Sequence, residues 1–344
     1  MTATETRTAG GGRRRRRGRG ERSMVPEATF TSYYGRPIVK ASPWTADIPA
    51  YLFLGGLAGG SSLLGAGADL TGRPALRRSA RLTALGAIGG SFYALVHDLG
   101  RPARFHHMLR VAKVSSPMSV GTWILTAYGP MAGLAAVSEA TGCLPRRWRD
   151  SLLGRWLPGA GRSAGLLAAG LGPAVASYTA VLIADTATPT WHAARRDLPF
   201  VFVGSAAAAA GGAGLMFSPT EEAAPARRLA VVGAAADLIA SRTMESGMGV
   251  TAEPLHTGRP GKLLMTAKAL TGLGAALAAL GGVPAVGQRR RGLSAAGGGC
   301  LLAGSVCTRF GLFGAGQQSA EDPRYTVVPQ RERLEGRDQA HNPA

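Results

Sequence analysis

Apolar residues in this chain fall into eight runs, separated by polar connections rich in arginine. A helix rises about 1.5 Å per residue, so about 20 residues cross the hydrocarbon core of a bilayer. The runs 48–70, 81–98, 119–138, 164–185, 199–217, 227–244, 263–283 and 292–310 are of about that length. The pattern predicts an all-α integral membrane protein of eight transmembrane helices packed as helical bundles. The run 227–244 is the least apolar and contains Asp237, and Lys268 interrupts 263–283. Gly55 with Gly59, Gly56 with Gly60, and Gly86 with Gly90 stand at the spacing that lets helices approach closely in lipid. Residues 1–42 are expected to form a disordered arginine-rich tail, 43–315 the membrane domain, and 316–344 a polar C-terminal tail lying along a partner or the membrane surface.

Composition refines this picture. The 50 glycines suit helices that pack by close backbone approach. A net charge of +19 raises the question of nucleic acid. The basic residues sit between apolar runs, not in one patch with aromatics, so no nucleic acid is expected. The five arginines at 13–17 are suited to solvent or to anionic lipid headgroups. Cys143, Cys300 and Cys307 form no C-x-x-C pair. That spacing argues against a zinc or iron–sulfur site within the chain, and against a disulfide framework.

Eight spans place both termini on one side, here side A, together with the connections 98–123, 186–198 and 246–262. Side B receives 71–80, 139–163, 218–226 and 284–291, which carry arginines and little else. The positive-inside rule makes side B cytoplasmic, while the arginine tail on side A argues the opposite, so orientation stays open. The connection DLGRPARFHHMLRVAKVSSPMSVGTW is far more elaborate than a simple joint requires. Around it, the side A helix ends gather Asp47, Tyr51, His97, Asp98, Arg101, Tyr178 and Asp185, with Trp44, Trp123, Trp191 and His192 nearby. Polar groups at membrane depth are costly and mark a pathway or a ligand site. Each has a plainer reading. The tryptophans suit an interfacial aromatic belt. Asp98 and Arg101 suit a local ion pair at a helix end, His106 and His107 a surface loop, and Tyr51 and Tyr178 a core. Jointly they meet the demands of a flat ring with two carbonyl oxygens: donors at both ends, an apolar slot, and carboxylate or imidazole groups to pass protons. A quinone is such a ligand.

The segments WTADIPAYLFLGGLAGGSSLL, HDLGRPARFHHMLRVAKVSSPMSVGTWIL, YTAVLIADTATPTWHAARRDLPFVFVGSAAAAAGG and FGAGQQSAEDPRYTVVPQ together resemble the NrfD/PsrC family, the polysulfide reductase-like membrane subunits. The likeness covers residues 33–333, and DLGRP…SPMSVG is its most specific block. The resemblance implies a quinone-binding membrane-anchor subunit in the plasma membrane, not catalytic alone. It implies menaquinone or ubiquinone as the cofactor, with no haem or iron–sulfur cluster in this chain. It also implies a four-cluster ferredoxin-like iron–sulfur subunit and a molybdopterin catalytic subunit as partners. The pocket is expected among the side A ends of the first four helices. There Tyr51 or Tyr178 and His97 would hold the carbonyls. Asp98 and Asp185 would orient His97 or exchange protons with it, and Arg101 would keep Asp98 charged. Asp47 is a further candidate.

Two other readings compete. A transporter or channel would account for the embedded Asp237 and Lys268, and RRSARLTALGA faintly echoes ARRLAVVGAAADL. A cytochrome b-type subunit needs opposed histidines within the spans, whereas His97 is the only histidine at a span end. Asp69, Asp237, Glu245 and Lys268 serve either a proton route or structural ion pairs.

Overall fold

The computed structural model describes residues 37–341 except 144, 146, 148 and 149. The expected disordered tail therefore lies outside the described residues up to position 36. The first run becomes α1, Asp47–Leu70. It stops at a tight turn where Gly72 adopts a φ of 67°, a region that favours glycine. Pro74 then opens α2, Pro74–Asp98, where its missing N–H costs nothing. A 3₁₀ helix, Pro102–Leu109, fills the start of the elaborate connection. The Ser-Pro pair that closes it is a helix start: Ser116 accepts from the Ser119 N–H, and Pro117 opens α3, Pro117–Ser138. Then follow α4, Leu152–Ala184, a short helical turn Pro189–Ala193, α5, Leu198–Phe217, and α6, Ala224–Gly247. Next are a 3₁₀ turn Gly249–Leu255, α7, Gly258–Leu280, α8, Arg290–Glu321, and α9, Arg324–His341.

All eight apolar runs are helical, but only six helices among the described residues are long and apolar enough to cross a membrane: α1, α3, α4, α5, α7 and α8. The expected count of eight is not reached on that measure. The exceptions, α2 and α6, carry arginines or an aspartate within their length, which lowers their hydropathy. The C-terminal segment, expected as a polar tail from residue 316, begins inside α8 and continues as α9.

The helices pack in two groups with one neighbour scheme. α1 meets α2 and α4, and α3 meets α2 and α4. In the same way α5 meets α6 and α8, and α7 meets α6 and α8. The groups join chiefly through α1 and α5. Small residues make the closest contacts. A methyl on Gly172 of α4 would lie 2.5 Å from the Gly59 carbonyl oxygen of α1. One on Gly60 would lie 2.9 Å from the Ala206 carbonyl oxygen of α5. Gly86, by contrast, faces no neighbour within 4 Å, so its spacing from Gly90 is not a packing motif.

The arginines of side B do more than mark topology. Arg291 donates to the carbonyls of Leu215, Met216 and Ser218 at the C-terminus of α5. Arg227 and Arg290 donate to the Ala278 and Gly281 carbonyls at the end of α7. These are the carbonyls a helix end leaves without partners. Asp69 and Glu139, both largely buried, hold Arg77 and Arg81 in a shared network. Arg81 Nη1 stands 2.8 Å from Glu139 Oε1. Asp69 thus belongs to a structural ion-pair cluster on side B.

Candidate functional site

Hydrogen bonds tie the expected side A helix ends together. Thr45, just before α1, donates from its backbone N–H and its hydroxyl to Asp98 Oδ1 at the end of α2, at 3.2 and 2.9 Å. The Gln317 amide of α8 donates to the Trp44 carbonyl at 3.2 Å. Thr190, between α4 and α5, donates to the Thr251 carbonyl at 2.9 Å, and its N–H to Ser319 Oγ of α8.

Within this face the first bundle assembles three features. The first is Tyr51 of α1 and Tyr178 of α4, whose hydroxyls are hydrogen-bonded to each other inside the core. Gly121 of α3 leaves room for the Tyr178 ring, because a methyl there would collide with it. The second is His97, whose Nδ1 lies 2.7 Å from Asp47 Oδ2. A carboxylate only accepts, so Nδ1–H donates and Nε2 is left available. Tyr93 stacks on the same imidazole. The third is an apolar cavity of about 360 Å³ under the 3₁₀ helix, lined by Phe92, Leu95, Phe105, Met108 and Leu125, with Thr122 and Thr126. Leu125 stands one turn beyond Gly121, so α3 forms a wall for both the cavity and the Tyr178 ring.

The expected residues therefore divide. Tyr51 meets Tyr178, and Asp47 meets His97. Asp98 holds Thr45 and does not orient His97; Asp47 does that instead. Arg101 is exposed and makes no ion pair with Asp98, because Asp98 turns toward Thr45. Asp185 is exposed just past the end of α4, while Tyr178, seven residues earlier, is buried. A shared helical face does not bring them together, because the helix stops between them. His106 and His107 are exposed on the 3₁₀ helix, as a surface loop requires. Of the three tryptophans, Trp123 is half-exposed, but Trp191 is buried and donates to the Leu312 carbonyl at 2.9 Å. Trp191 is core, not belt, because the Pro189–Ala193 turn dips between α4 and α8. Thr45, Gly121, Arg309 and Ser91, whose hydroxyl donates to the Tyr51 carbonyl at 3.2 Å, were not singled out by sequence reasoning. Arg309 carried a visible signal, a lone charge inside the apolar run 292–310.

The second bundle places a different pair at the corresponding helix contact. Phe202, fifth residue of α5 as Tyr51 is of α1, accepts at its carbonyl from Arg309 Nη2 of α8 at 2.8 Å. The Arg309 guanidinium also lies over the Phe202 ring, 3.7 Å from its centroid. The repeated neighbour scheme gives the echo between RRSARLTALGA and ARRLAVVGAAADL a place, on α2 and α6. It does not supply the broken half-helices that a transporter needs: α1 and α5 run unbroken, and the prolines inside α4 have no counterpart in α8.

Fold and site together define a multi-pass helical membrane protein with its chemically varied face at one end of the bundles. The chain matches the polysulphide reductase NrfD family over residues 38–231, more than half its length, and it belongs to that family. Membership implies a membrane subunit of a quinone-linked oxidoreductase complex. No curated protein matches the chain.

Proposed function

We propose that the chain spans the plasma membrane eight times and binds menaquinone or ubiquinone at the side A end of its first bundle. There it passes electrons between the quinone pool and a ferredoxin-like iron–sulfur subunit that serves a molybdopterin catalytic subunit. One observation carries the reading: α3 lines an apolar cavity through Leu125 and packs on the buried Tyr51–Tyr178 pair through Gly121, while α2, which lines the same cavity, ends on an imidazole oriented by a carboxylate. The residues fit a quinone in kind, because the cavity offers an apolar slot and the helices that line or pack on its walls carry hydroxyl and imidazole groups. Bound quinone would supply two-electron, two-proton chemistry. Tyr178 and His97 Nε2 would hold its carbonyl oxygens. Asp47 would keep His97 in the tautomer that leaves Nε2 free, and stabilise the imidazolium when a proton arrives. Thr45 would fix Asp47 and Asp98 at the rim, with Asp98, Asp185 and Arg101 reaching solvent for proton exchange. A groove of about 660 Å³ on side A, between the Pro189–Ala193 turn, the 249–255 turn and α9, offers the partner subunit His192, Arg195 and Arg333.

The test is quinone turnover by the purified complex carrying Tyr178→Phe with His97→Ala. Loss of quinone-linked activity, with artificial-acceptor activity of the catalytic subunit retained, supports the assignment. Parent-level quinone turnover refutes it.

A further inference from the structure

The second bundle buries a carboxylate that the proposed quinone site does not use. α6 presents Asp237, Ser241 and Glu245 at intervals of four residues, hence as one stripe. Facing it are Lys268 and Thr271 of α7 and Thr308 of α8, and these groups line a small cavity. The cavity, of about 10 Å³, has room for roughly one water molecule. Asp237 is only 3% exposed and lines the cavity with Ser241, and its Oδ1 has no partner among the described residues. Arg309, 1% exposed, leaves Nε and Nη1 equally without partners. Carboxylate and guanidinium are close enough to feel each other's charge but make no direct ion pair.

Buried polar atoms without partners are costly, and hydrophobic walls cannot satisfy them. A water held in the cavity that Asp237, Ser241 and Thr308 line would donate to Oδ1. The same stripe leads outward. Glu245 pairs with Lys268 at 2.6 Å at the side A end of the cavity, and His256 Nε2 lies 3.9 Å from Glu245. The Lys268 and His256 side chains both reach the protein surface. The charged groups facing Asp237 are thus Arg309 from α8 and Lys268 from α7, with Glu245 on its own helix and His256 beyond it. α5 brings only the Gly204 backbone, and Arg242 is exposed.

We propose that Asp237 is a hydrated protonation site, which exchanges one proton with side A along Ser241, Glu245 and Lys268. The carboxylate takes up a proton delivered through water and becomes the neutral acid; the reverse step returns that proton by the same route. Two flanking cations, Arg309 and Lys268, disfavour a metal cation at the same place. The proposal does not depend on the quinone assignment.

The test uses the full-length chain in lipid nanodiscs, with infrared difference spectra between mildly acidic and mildly alkaline buffers, in H₂O and D₂O. The parent is expected to show a carboxylic-acid C=O band that vanishes on alkalinisation and shifts in D₂O. Asp237→Asn loses the band completely. Asp237→Glu displaces it and carries the test if the asparagine variant fails to fold. Glu245→Gln keeps the band and slows its exchange in D₂O severalfold. A parent without the band, a band unchanged in Asp237→Asn, or a band that never shifts in D₂O overturns the proposal. So does a band abolished by sodium but not by choline, which would mark a cation site.

Discussion

Tyr51 and Tyr178 allow stability and ligand chemistry to be separated. Both side chains are buried, and each hydroxyl is the other's partner. Tyr51→Phe or Tyr178→Phe alone strands one buried hydroxyl, at about 1–3 kcal/mol. The double variant removes both polar atoms and keeps both rings, so its cost should fall below that of either single change. At about 2–4 °C per kcal/mol for a sizeable domain, each single variant should melt several degrees lower, and the double should recover most of the loss. The assay is thermal unfolding of the purified protein in detergent, followed by tryptophan emission. Quinone turnover should behave otherwise: the double variant, though stable, should stay as impaired as Tyr178→Phe. A double variant whose melting point falls by the sum of the two single losses would refute the pairing. One with parent stability and parent turnover would make the pair purely structural.

Other sites give sharper tests of the packing. Glu139→Gln leaves Asp69 as the one carboxylate paired with the buried Arg81 and should cost about 3 kcal/mol, read by chemical denaturation in mixed micelles. Gly316→Ala places a methyl inside the Trp191 indole. It should cost about 1–3 kcal/mol and shift tryptophan emission to longer wavelength, with unchanged emission counting against the contact. Arg291→Ala frees the carbonyls of Leu215, Met216 and Ser218 and should cost about 1–2 kcal/mol. Hydrogen exchange should then quicken at the end of α5 and not at its start.

Helix existence was legible because a bilayer demands runs of fixed length, and all eight runs are helical. Helix ends were not, because hydropathy reports where lipid stops and not where the backbone ladder stops. α4 begins twelve residues before its apolar run, and α8 continues eleven beyond, to Glu321. Which helix ends gather was legible for a related reason: successive helices turn back, so alternate connections fall together. Which residue meets which depends on rotation about each helix axis, and the sequence does not display that. His97 and Asp98 are adjacent, yet they turn to Asp47 and to Thr45. The repeated neighbour scheme resolves one part of this ambiguity. At the α1–α4 contact it sets Tyr51 against Tyr178; at the α5–α8 contact it sets Phe202 against Arg309. A buried hydroxyl pair carries no charge of its own. A guanidinium held over an aromatic face, with a carboxylate nearby, suits a fixed charge that tolerates a changing one. The two bundles share a frame, and the side chains at that one contact decide which chemistry each supports.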